Sequence, residues 1–123
     1  MNHRSLFLNL TYRGRVKSVR RVYHVLEGSD HYVLLSPGAA AGGNYSVVTK
    51  ATVAYLLKRV GGKRSVTSAD VWAACKRSRL LADRFAVLHA LYVLVAIKAA
   101  TIVRFGTPLF FNVRKRASNA GDR

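Results

Sequence analysis

Residues 16–36, VKSVRRVYHVLEGSDHYVLLS, carry two periodicities at once. Val16, Val19, Val22, Tyr23 and Leu26 recur at helical spacing, an apolar stripe down one side. The same stretch also reads as two apolar strands around Glu27-Gly28-Ser29-Asp30, a hairpin-turn composition. The helical stripe is the preferred reading for Val16–Leu26, and the hairpin stays open. Upstream, SLFLNLTYRGR suits a short strand. Downstream, SPGAAAGGN (36–44) is Gly- and Ala-rich and reads as a loop or linker. No repeat at a solenoid period is present.

These segments divide the chain near Tyr45. Residues 1–44 form a basic, apolar N-terminal extension and linker, 45–115 a folded domain, and 116–123 a basic flexible tail. The middle part has clear punctuation. Thr49 can cap a helix whose stripe is Val53, Leu56, Leu57 and Val60, and Gly61-Gly62 can end it. The spacing predicts a helix over Lys50–Val60. Thr67 followed by Asp70 places an acid in a first turn, which predicts a short helix over Ser68–Cys75 with Val71, Ala74 and Cys75 inward. A basic turn follows, Lys76 to Arg79. Leu81, Phe85, Leu88 and Tyr92 then predict a third helix over Leu80–Tyr92 with those four side chains facing the core. In TIVRFGTPLFFNV, two β-rich runs flank Gly106-Thr107 and predict a hairpin, with Pro108 at a strand start. The expected fold is α+β: a winged helix-turn-helix of three helices plus a C-terminal β-hairpin, with an N-terminal extension.

The chain has 123 residues and is 50% hydrophobic, enough for one small core. Its charge is one-sided: 21 Lys and Arg against 5 Asp and Glu, net +16. Such a surface repels itself unless an anionic partner screens it. Arg outnumbers Lys, and its planar fork suits phosphate and base stacking, which favours nucleic acid over a membrane. The candidate phosphate-binding residues are Arg13, Arg15, Lys17, Arg20, Arg21, Lys58, Arg59, Lys63, Arg64, Lys76, Arg77, Arg79, Arg84, Arg104, Arg114, Lys115 and Arg116. Of the tyrosines, most suit amphipathic packing. Tyr12, in TYRGR, is the candidate for base stacking.

Other chemistries find no support. His3, His24, His31 and His89 have no metal-ligand spacing, and no nucleophile motif or phosphate loop is present. Neither an enzyme, a cofactor, a metal nor a small-molecule substrate is expected. Cys75, the one cysteine, reads as a small buried hydrophobe. Asp70 reads as a helix cap, and Asp83 beside Arg84 as local charge balance. The apolar run Phe85–Ile97 is too short to span a bilayer. An intracellular protein is the expectation. The acid-free, basic stretch from Met1 to Leu26 keeps an organellar address open.

TKAT…LLKRV…SVTSADV…LLA resembles the family of the small-subunit ribosomal protein numbered twenty-five in the eukaryotic and archaeal naming. Lys50, Ala51, Thr52, Leu56, Lys58, Val60, Thr67, Leu81 and Ala82 occupy matching places without gaps, and FFNVR (Phe110–Arg114) is a loose counterpart of the family's last strand. Thr49 stands where the family carries an acid, and Ser68 where proline is common. The resemblance runs over about residues 49–114. It implies a winged-helix structural protein of the small ribosomal subunit, bound to ribosomal RNA and neighbouring ribosomal proteins, on cytoplasmic or organellar ribosomes. The alternative is a DNA-binding winged-helix transcription regulator or chromatin protein. Against that, the third predicted helix offers few polar side chains beyond Arg84 for reading base edges.

Overall fold

β-Branched Val16, Val19 and Val22 are stiff at χ1 and favour extended backbone, and they lie around a built-in turn. Ser18 closes that turn. Its N–H donates to the Arg21 carbonyl (2.8 Å). Its hydroxyl donates to the same carbonyl (3.1 Å) and accepts from the Arg21 N–H (3.1 Å). The expected helix over Val16–Leu26 is therefore not formed. The computed structural model, which describes residues 7–37, 44–75, 77–104, 106 and 108–115, instead has β1 at Thr11–Lys17 and β2 at Val22–Glu27. A second turn follows, in which the Gly28 N–H donates to the His31 carbonyl (2.7 Å). A Cβ at Gly28 would sit 3.0 Å from His31 Cε1 and 3.2 Å from Leu10 Cδ2, so a larger residue there would have to push these side chains back by a few tenths of an ångström.

β3 (His31–Ser36) and β4 (Asn44–Thr49) complete an antiparallel sheet in the order β1-β2-β3-β4. Val25 lies opposite Leu34, and Tyr32 opposite Val48. Strand alternation puts Val16, Val25, Leu34 and Val48 on one face, all buried in the main core. β4 passes directly into α1, Lys50–Val60. Thr49 caps α1 as expected, its hydroxyl accepting from the Thr52 N–H (3.1 Å). The Gly61 N–H returns to the Leu57 carbonyl (2.9 Å), and Gly62 supplies the left-handed residue (φ 87°).

α2 spans Ser68–Cys75. Thr67 and Asp70 form a reciprocal capping box: the Thr67 N–H donates to Asp70 Oδ2 (3.0 Å), and the Asp70 N–H to Thr67 Oγ1 (3.1 Å). Val71 and Cys75 are buried, and burial pushes the Cys75 thiol pKa up.

α3 runs Arg84–Ala96, one turn later than the sequence spacing predicts. Asp83 is the reason. Its carboxylate accepts from the Ala86 N–H (2.9 Å) and fixes the helix start, a capping role where charge balance was expected. The inner stripe becomes Val87, Ala90, Leu91 and Leu94, each fully buried. Leu81 is buried from the preceding loop, but Phe85 is 72% exposed, against the expectation that it faces the core. β5 (Ala100–Arg104) and β6 (Phe110–Val113) pair in a separate two-stranded sheet, with Val66 bridging to Phe111 (Val66 N–H to carbonyl, 2.9 Å).

The winged helix-turn-helix expectation is thus overturned. Among the described residues the fold is α+β, with the helices α1–α3, a four-stranded antiparallel sheet and a two-stranded sheet. The larger sheet precedes the helices, and its apolar face packs on α3. Tyr23 of β2 meets Tyr92 and His89 of α3 at ring-centroid distances of 4.8 and 5.7 Å. α3 is therefore central: helices cover one side and the sheet the other. The linker expected over Ser36–Asn44 is strand at both ends, where β3 closes at Ser36 and β4 opens at Asn44; residues 38–43 and the basic tail (116–123) lie outside the described residues.

Candidate nucleic-acid interface

Every described basic side chain except half-buried Lys50 is exposed. Acids do little to neutralise them. Among the described residues, both ion pairs use Glu27, with Lys50 Nζ at 2.6 Å and Arg13 Nε at 3.4 Å. The Glu27 hydrogen bond holds the Lys50 ammonium above its usual pKa. Asp70 and Asp83 spend their carboxylates on helix N-termini. Three of the four described acids are thus committed to the scaffold, and the fourth, Asp30, is exposed beside Lys50, whose backbone N–H donates to its backbone carbonyl (2.9 Å).

The fold gathers the cations into groups. Lys58 and Arg59, from the last turn of α1, join Arg77 beyond α2 around a cleft of about 670 Å³ lined also by Tyr55, Ala73, Ala74 and Ser78. Arg59 is steadied there, because its Nε–H donates to the Ala74 carbonyl (3.0 Å). That carbonyl lies in the last turn of α2, where a cation is favoured. One donor is used, and the rest of the guanidinium's fork remains for a ligand.

A second group lies at the start of α3. Arg20 and Arg21 from the β1–β2 turn, with Arg84, ring a hollow of about 570 Å³ that also contains Phe85, Tyr23 and Leu88. Ser18, which closes that turn, is buried beside the Tyr92 hydroxyl, and both residues line this hollow. Burial pushes the Tyr92 pKa up to about 12, so the phenol stays neutral through the physiological range. The arginine turn is in this way tied to the core helix.

A third group follows from strand pairing. The Val113 N–H donates to the Lys63 carbonyl (2.8 Å), which brings Lys63 beside the end of β6 and hence near Arg114 and Lys115. Arg114 Nη1–H donates to the Lys98 carbonyl (3.1 Å), adding Lys98, which the sequence reading left out. Lys98 sits at positive φ (67°) just past α3. Arg64 and Arg79 are exposed but line neither cavity. Arg104 ends β5, and Lys76 and Arg116 lie outside the described residues.

Tyr12, 56% exposed on β1, donates to or accepts from His24 Nδ1 at 3.0 Å. Arg15 pairs with His24 across the strands, so Tyr12, Arg15 and His24 share the sheet face away from the helices. Phe85 was missed as a surface residue. Its helical spacing from Leu81 and Leu88 was the misleading signal. Asp83, a strong cap two residues earlier, was the signal that could have shifted the helix.

His89 is half-buried between Tyr23 and Tyr92, and burial lowers its pKa below the usual 6.5, partly offset by Asp83. The unfolded chain therefore binds the proton more readily. Its contribution to stability is full above about pH 6.5 and is lost as pH falls below that value, until the folded state is protonated too. Denaturant titrations at pH 8 and pH 5 should show lower stability in acid, and His89→Gln should flatten the difference.

Among the described residues no group of three or more His, Cys, Asp or Glu could hold a metal ion, and no helix is long and apolar enough to cross a membrane. Comparison with known proteins gives no match: neither a family model, nor a curated protein, nor a solved structure aligns with the chain.

Proposed function

We propose that the protein binds RNA through the sugar-phosphate backbone, seated on ribosomal RNA of the small ribosomal subunit beside other ribosomal proteins. One observation carries the reading: a net charge of +16 stands on exposed Lys and Arg side chains, while three of the four described acids, Glu27, Asp70 and Asp83, are engaged elsewhere and Asp30 adds a single further exposed carboxylate. A polyanion relieves that self-repulsion, and each phosphate contact releases counterions. Grooves with Lys58, Arg59 and Arg77 on one side and Arg20, Arg21 and Arg84 on another suit a ligand that curves around the protein more than a small anion. The narrower ribosomal seat is supported by the resemblance of the Thr49–Ala82 string.

DNA base reading is disfavoured on physical grounds. A groove-reading helix must present Arg, Asn or Gln to base edges. α3 is packed on two sides, and past Arg84 its polar side chains are His89, which is half-buried, and Tyr92, which is buried. Crosslinking in cells, followed by sequencing of the attached nucleic acid, tests the proposal. Small-subunit ribosomal RNA is the expected product. Recovery of chromosomal DNA fragments, or of no nucleic acid, would refute it.

A further inference from the structure

We infer that the hollow between the β1–β2 turn and the start of α3 takes one unpaired RNA base, stacked on Phe85, with its flanking phosphates on Arg20, Arg21 and Arg84. This rests on RNA being the ligand and names how one site engages it.

Three observations carry it. Phe85 is 72% exposed although every residue after it on the helix is buried or partly buried, so a large aromatic face is left in water. It stands in a concavity of about 570 Å³, within the range of small-ligand clefts, whose walls include Tyr23 and Leu88. The rim carries three arginines and, among the described lining residues, no acid. A flat apolar surface ringed by cations matches a nucleotide, which is a flat base on an anionic chain. The turn bearing two of the arginines is also preorganised by the Ser18 hydrogen bonds and by Tyr92, which lowers the cost of ordering them on binding.

Other occupants fit less well. A second copy of the chain would bring arginine against arginine on molecules of net charge +16. An acidic peptide satisfies the arginines but offers nothing planar to Phe85.

The test uses the full chain and two RNAs: a perfectly paired duplex, and the same duplex with one bulged 2-aminopurine nucleotide. The bulged RNA should bind more tightly, with its fluorescence quenched on binding. Phe85→Ala and Phe85→Leu should both lose that preference, on the order of tenfold, and the quench, while duplex affinity stays unchanged. Phe85→Trp should keep both. Because the side chain is exposed, the melting temperature should not move, and this separates stacking from folding. Retention of preference and quench by Phe85→Ala overturns the inference while leaving RNA binding intact. So does displacement of the bulged RNA by polyglutamate of equal charge as readily as by unlabelled bulged RNA. If the unaltered chain binds neither RNA, the RNA reading falls and the inference falls with it.

Discussion

A chain beginning at Asn44 is expected to show no cooperative thermal transition, whereas the full-length chain melts as a unit. The helices alone cannot enclose α3. Its inner stripe of Val87, Ala90, Leu91 and Leu94 is fully buried, but Tyr92 and Ala96 are buried as well. The ring of Tyr92 meets Tyr23 of β2 at 4.8 Å. The truncation removes Val16, Val25 and Leu34 from the core, each worth about 1.5–3 kcal/mol when fully buried, and it exposes the helix surface they covered. That loss is comparable to the roughly 5–15 kcal/mol by which a whole domain is stable. Leu34→Ala in the full chain is a milder version, expected to cost about 3 kcal/mol in denaturant titrations. A truncated chain with a sharp transition near that of the full protein would show that the sheet is an ornament on an independent helical unit.

The second large effect is electrostatic. RNA affinity should drop by about a factor of 10³ between 50 and 200 mM salt if around six phosphates are neutralised. Lys58→Glu combined with Arg77→Glu, which reverses two of the three cations around the α1–α2 cleft, should weaken binding at least about tenfold and flatten the salt dependence. Both side chains are exposed, so circular dichroism and melting should be unaltered. Binding assays at stepped salt check both statements. An affinity indifferent to salt, or to the double reversal, would mean that this cleft is a solvated face and that RNA contacts lie elsewhere.

Structure and sequence agree most closely where the signal is local. Thr49 and Gly61-Gly62 bracket α1, and Thr67 with Asp70 opens α2, because capping side chains act on backbone groups three or four residues away. The cationic excess is likewise a property of composition, and its exposure follows from the cost of burying unpaired charge. On these grounds the exposed state of Lys58, Arg59, Arg77 and Arg84 was legible before any fold was known. Their grouping was not. Lys58 and Arg77 share a cleft, and Arg20 and Arg84 share a hollow, only because the helices and the β1–β2 turn pack as they do.

By itself, then, the sequence determined where α1 and α2 begin and end, that one small core forms, and that its surface carries a large positive excess. Tertiary structure alone decided whether residues 16–26 became helix or hairpin, and whether Phe85 pointed inward. Val16–Leu26 satisfies both periods, and the tie is broken by what the segment packs against: the face it offers as two strands is the one that covers α3. Phe85 is spaced from Leu81 and Leu88 as a core residue would be, but Asp83 starts α3 after Leu81, and the stripe that packs is Val87, Ala90, Leu91 and Leu94, which leaves Phe85 on the solvent side. An apolar period specifies that a face exists; only the partner surface selects which one is buried.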